Sequence, residues 1–230
     1  MTTTVRMRRR AMLAGGAAAL AGPTRAAPGP AGWRAVFVPG RAEAHFAALP
    51  EGAIGLRALG AMGFLVRAVD PAEQAGHDVR LAWRWRVLAA PPPSDLADPD
   101  AGDRPAAVHV LFAEAGGGGL GARLRRGLRG ALLGAEFSGR ALTHVWGGRA
   151  PSGTILANPH LRGDGVLLIR RGPETALGAW QEERADLARD YRAAFAAAAP
   201  PATHLVLSID TDDRGGLAAA EITPPRFIAA

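Results

Sequence analysis

Between positions 79 and 87 the chain alternates strictly. Val79, Leu81, Trp83, Trp85 and Val87 fall on one side, and Arg80, Ala82, Arg84 and Arg86 on the other. Successive side chains of a strand point to opposite faces, so this spacing predicts a β-strand with an aromatic inner face and a cationic outer one. Two indoles on one strand need a deep partner surface, either a second sheet or a covering helix. Shorter runs of the same kind predict strands at 33–38, 64–69, 107–112, 142–146, 166–170, 204–210 and 217–222, with a short one at 175–181 around Trp180. Residues 41–60 carry little pattern. Pro91, Pro92 and Pro93, followed by Asp95, Asp98, Asp100 and Asp103, read as a loop. Residues 182–199 predict a helix with Leu187, Tyr191, Ala194 and Phe195 on one face, stopped by Pro200 and Pro201. Many strands, many turns and one or two helices predict a mostly β chain: an antiparallel β-sandwich of jelly-roll type with peripheral helices.

One segment breaks the pattern. Leu120, Leu124, Leu128 and Leu132 recur every four residues with Arg123, Arg125, Arg126 and Arg129 between them. This predicts a short basic helix inside an insertion at 116–139, weakened by Gly121, Gly127 and Gly130. It reads first as a helix lying on the sandwich with solvated arginines, and second as a surface for a membrane or a partner in envelope assembly.

Charge changes the picture at the N-terminus. Every basic residue is Arg, and five of the 27 lie within residues 1–26, where there is no acid. The remaining 22 face 21 Asp and Glu, so the formal charge of +6 belongs mostly to the leader. Nucleic-acid binding needs a clustered basic surface, and the rest of the chain has no such excess. Arg8, Arg9 and Arg10, then a mild apolar run from Ala14 to Gly22 and small residues around Ala26, describe a Tat-like export signal at 1–26 with cleavage after Ala26. A linker at 27–32 and one domain at 33–230 follow. The apolar run is too short to span a bilayer, and no other stretch approaches that length, so a periplasmic or secreted protein without a transmembrane segment is expected. Cysteine is absent, which removes disulfides and thiolate metal sites. Nothing in the sequence speaks to oligomeric state.

Five blocks resemble a bacterial family of exported proteins, domain-of-unknown-function family 3047. They are 81–87, 103–112, 142–146, 178–192 (with Trp180, Glu183, Arg184, Asp186 and Tyr191) and 210–213. The resemblance implies a β-sandwich similar to galactose-binding and carbohydrate-binding jelly rolls, and no established activity. His109, His144 and His160 stand where tyrosines are expected in that family, and Ala107 where an arginine is common.

The candidate chemistry is that of binding. Arg84, Arg86, His109, His144, Trp146, Trp180, Arg184 and Tyr191 offer planar hydrogen-bonding groups and aromatic faces suited to a glycan or another polyhydroxylated ligand. Arg84 and Arg86 would sit beside His109 if their strands pair; equally, the arginines could pair with Asp103, Asp210 or Glu183. Trp83 and Trp85 read as core. Asp210, Asp212 and Asp213 at a strand exit, with Glu221 as the distant carboxylate, could hold calcium, or could cap turns and pair with arginines. No cofactor is otherwise implied, and no catalytic residue is assigned. Ser94, Ser138, Ser152 and Ser208 lack a nucleophile-elbow setting, and the histidines lack ligand spacing. A carboxylate pair for a glycan hydrolase or lyase could be drawn from Asp103, Glu183 and Asp210.

Overall fold

The alternating segment forms strand β6 (Arg80–Ala89). Its parity holds in the computed structural model: Leu81, Trp83, Trp85 and Val87 are buried, while Arg80 and Arg84 reach solvent. The structure describes residues 25–75, 80–113, 139–161 and 163–229. The basic helix expected at 120–132 and most of the expected export signal lie outside these residues, as does Val79.

The other strands are β1 (Arg25–Pro28), β2 (Arg34–Phe37), β3 (His45–Ala48), β4 (Ile54–Leu59), β5 (Met62–Ala68), β7 (Arg104–Phe112), β8 (Ala141–Trp146), β9 (Ile155–Ala157), β10 (Gly165–Arg171), β11 (Gln181–Asp186), β12 (Ala202–Asp210), β13 (Leu217–Ile222) and β14 (Arg226–Ile228). Helix α1 (Leu187–Phe195) stands between β11 and β12. They make two sheets. Sheet A runs β1-β2-β5-β12-β7-β8-β10-β9, and sheet B runs β11-β6-β13-β4-β3 with β14 also pairing β6. The chain is thus a β-sandwich with a peripheral helix, as the strand pattern predicts. One neighbouring pair, β8 with β10, is parallel. Among the described residues no helix is long and apolar enough to cross a membrane.

The layers meet on aromatic side chains. Trp83 and Trp85 pack edge to face at 5.5 Å, and Trp85 meets Trp146 of the opposite sheet at 5.6 Å in the same manner. Edge-to-face contact places the positive ring edge on the negative face, which adds to the burial energy of each indole. The Trp85 N–H donates to Glu183 at 3.0 Å, and Arg171 donates to the same carboxylate at 2.6 Å. The buried polar end of the indole and the buried carboxylate therefore satisfy one another.

Four expectations change. Residues 175–180, expected as a short strand around Trp180, lie outside any strand, and only Gln181 begins β11. Residues 182–199 are not one helix: 181–186 form β11, paired with β6, and only Leu187–Phe195 is helical. Pairing buries Glu183 and Ala185 on alternate positions, a stronger pull than local helix propensity. Asp186 then caps α1 by accepting the Arg189 N–H. The weakly patterned stretch 41–60 contains β3 and β4, which pair with each other. Residues 27–32, expected as a linker, hold the end of β1 and a single 3-10 turn at Pro30–Gly32. The expected cut after Ala26 falls inside β1, an exposed edge strand.

The inner and outer faces of β6 predict opposite responses to truncation. Trp85→Ala should cost about 3–5 kcal/mol of unfolding free energy, while Arg84→Ala should stay within about 0.5 kcal/mol. Urea denaturation of the two variants checks this.

Candidate functional site

β12 positions a cavity of mixed polar and apolar lining on the outer face of sheet A. Leu205, Leu207 and Ile209 point into the core, so Val206, Ser208 and Asp210 line the outer face of sheet A. On the neighbouring β7, the same parity turns Val108, Val110 and Phe112 inward and His109 outward. The result is a cavity of about 300 Å³. Phe64, Met62, Leu111, Val206 and Leu161 give it apolar walls, and Arg41, Arg104, His109, Asn158, His160, Asp100, Asp210, Asp212 and Asp213 give it polar ones.

Hydrogen bonds fix this end of the sheet. Asp103 accepts the N–H groups of Asp213 and Arg214 at 3.0 and 2.9 Å, and Asp213 accepts the Gly102 N–H at 2.9 Å. The loop after β12 is thereby clasped to the start of β7. Arg104 donates to the Gly102 carbonyl at 2.7 Å and reaches Asp210 at 3.4 Å. Arg41 pairs with Asp212 at 2.8 Å. His109 bridges two hydroxyls, with Thr143 Oγ1 at 3.0 Å from Nδ1 and Ser208 Oγ at 2.8 Å from Nε2. A neutral imidazole donates to one hydroxyl and accepts from the other.

The charge states follow from burial. Burial pushes the Asp210 carboxyl up to about 7; Arg104 opposes this, and the neighbouring Asp212 adds to it. Burial, helped by Arg104, pulls the His109 imidazole down to about 3 and keeps it neutral. His160 is lowered by burial and by Arg104, against the pull of Asp213, Asp100 and Asp212. The cavity thus holds a carboxyl that carries its proton near neutrality and a neutral imidazole, beside fixed guanidinium groups.

The expected ligand residues separate into three places. His109 joins Asp210, Asp212 and Asp213 at the sheet A cavity. Arg84, Arg86 and Trp180 meet on the outer face of sheet B, where both guanidiniums lie over the indole at 5.5 and 4.9 Å. Arg184 belongs to β11 on the same sheet and pairs with Glu182 at 3.1 Å. β6 and β7 lie in opposite sheets, so Arg84 and Arg86 do not sit beside His109. His144, Trp146 and Tyr191 are core residues instead of ligand contacts. His144 is fully buried against Trp83 at 5.2 Å and accepts from Arg170 at 3.0 Å. Tyr191 is wedged between Phe112 and Phe195 at 4.8 and 4.7 Å.

Glu221 does not approach the Asp210–Asp213 loop either. It extends from sheet B and accepts from Arg86 at 2.8 Å. Asp103 takes the place expected of it: among the described residues, Asp103, Asp212 and Asp213 are the three acids whose carboxylate oxygens lie within 4.8 Å of one another. Three backbone amides and Arg41 already engage this group, so the arrangement is that of a loop clasp. Nothing in the sequence singles out Arg41, Arg104, Phe64 and Asn158 as site residues, because only the fold brings them together. Asp103 and His160 stand out in the sequence, as a candidate arginine partner and as a departure from the family pattern, but not as cavity or clasp residues.

The family comparison bears on the whole arrangement. A family model described as a protein of unknown function, DUF3047, matches residues 31–224. The chain belongs to the DUF3047 family. No curated protein matches it. The DUF3047 match takes in every strand that lines the sheet A cavity and every strand of sheet B except β14.

Two of the shifted groups of this DUF3047 chain, Asp210 and His109, act oppositely on stability. Asp210 keeps its proton in the fold while the unfolded chain has released it above 3.8, so its contribution is full below that value and is lost as pH rises through about 7. His109 is neutral in the fold, while the unfolded chain protonates below 6.5, so its contribution is lost as pH falls toward about 3. Asp210→Asn removes only the first effect. Its melting temperature relative to the unaltered chain should climb between about pH 4 and pH 7 and level off above, and a constant offset would contradict the assignment.

Proposed function

We propose that the chain is an exported binding protein whose ligand is a small polyhydroxylated molecule, a sugar or short glycan, held in the sheet A cavity. The observation that supports this reading is the meeting of carboxylates, guanidiniums and a neutral imidazole above an apolar floor. Sugars present hydroxyls that both donate and accept, and C–H faces that pack on apolar surface. Asp212 and Asp213 are acceptors, Arg41 and Arg104 are donors, and Phe64 with Met62 and Leu161 supplies the apolar wall. A cavity of about 300 Å³ is at the lower end of the range for small-molecule sites, a size suited to one or two sugar rings.

A second reading has its own observation. Asp210 carries a proton near neutrality beside Asp212, the kind of pairing that general-acid cleavage of a glycosidic bond requires. Under this reading the same cavity releases product.

A glycan array probed with the full chain tests the first reading. It should give a hit whose affinity falls about tenfold or more in Arg104→Ala, and no hit on any glycan would remove the reading. New reducing ends from the bound glycan, lost in Asp210→Asn, would transfer the site to the enzyme reading.

A further inference from the structure

The outer face of sheet B carries a second polar groove, away from the cavity just described. Two hollows of about 470 and 360 Å³ share Arg84 and Thr223, so they run into one another along β6. Thr223 fixes the floor between them: its Oγ1 accepts the Arg84 N–H at 2.9 Å and donates to the Arg84 carbonyl at 3.3 Å. Trp180 covers the first hollow and meets both Arg84 and Arg86 with its ring. Guanidiniums held against an indole are already oriented, so a ligand that binds them forfeits less side-chain freedom.

The charges in the groove are unevenly matched. Arg86 pairs with Glu221 at 2.7 Å. Glu182 stands in register with Arg84 but pairs with Arg184. Among the described residues, Arg84 has no carboxylate partner, and neither does Arg226, which stands in register with Ala82 at the far end of the second hollow. Arg86, Arg84 and Arg226 therefore form a row. The step from Arg86 to Arg84 is the rise of two strand residues, about 6–7 Å, and the step from Arg84 to Arg226 adds the sideways spacing to the neighbouring strand, about 5 Å.

We infer that this groove binds an acidic glycan chain, with sugar carboxylates on Arg84 and Arg226 and a sugar ring near Trp180. A row of guanidiniums alone would also suit nucleic acid. The walls argue otherwise, because Glu51, Glu182 and Glu221 line the same hollows. Those carboxylates find almost no hydroxyl on a DNA strand, whereas each residue of a uronic-acid chain carries free hydroxyls beside its carboxylate for them to accept. The inference does not depend on the sheet A cavity.

Trp180 also provides the readout. Trp33, Trp83, Trp85 and Trp146 are each buried, and Trp180 alone of the five is partly exposed. Adding tetragalacturonate to the full chain should shift tryptophan emission and reduce quenching by acrylamide. Trp180→Phe should abolish that optical change. Arg84→Ala should weaken binding about tenfold with an unchanged unfolding midpoint, and Asp210→Asn, on the other sheet, should leave it intact. Higher salt should weaken binding. No response to tetragalacturonate would overturn the inference. So would equal binding of a neutral galactose tetramer, full affinity in Arg84→Ala, or a response to oligothymidylate alone. Loss of this response with the sheet A ligand still bound would fault the groove only.

Discussion

The structure depends on burying two indoles from one strand; the Trp83 Nε1 is buried with no hydrogen-bond partner among the described residues, and Trp85 carries the satisfied polar end. An indole is too large to hide against a single sheet, and its N–H is costly to bury without an acceptor. Trp85 meets both demands at once: its ring packs against Trp146 across the layers, and its N–H finds Glu183 on the adjacent strand. Glu183 is itself stabilised by Arg171 from the other sheet. One carboxylate thus joins the two layers at the indole cluster. This also explains why 181–186 is drawn out of a helix, since only an extended segment beside β6 brings Glu183 to the indole.

Parity then distributes the chemistry. Once Trp83 and Trp85 face in, Arg84 and Arg86 must face out, and the same rule on β7 and β8 treats two histidines differently. His109 turns outward to a polar cavity, while His144 turns inward against Trp83. Burial lowers both imidazoles, but only His109 lies where a ligand can reach it. The sandwich consequently carries two separate polar faces. One is rich in carboxylates clasped by backbone amides, and the other is a row of guanidiniums beneath an indole.

Strand alternation was legible in the residues themselves. The inner set Leu81, Trp83, Trp85 and Val87, the strands at 204–210 and 217–222, and the two-layer class all follow from period-two patterning. What alternation cannot carry is which strands become neighbours. Arg84 and His109 look like partners when β6 and β7 are taken as consecutive strands of one sheet, yet the chain changes sheets between them. Glu221 and Asp210 are separated for the same reason. Residues 41–60 concealed β3 and β4 because their exposed positions include alanine and leucine and Gly55 is half-buried, so contrast between the faces is low. The sheet A cavity was half visible, through Asp210–Asp213 and His109. Arg41, Arg104 and Asn158 come to it from separate parts of the chain.

The two-layer core is tested most directly at the indole N–H groups of β6, whose hydrogen exchange can be followed one residue at a time by NMR on the full chain. The Trp85 and Trp83 indole protons should exchange only through global unfolding, with rates that track overall stability in urea, while the Trp180 proton exchanges fast. Exchange of the Trp83 or Trp85 proton at the Trp180 rate would mean that these rings meet solvent, and the two-layer core built on them would be wrong.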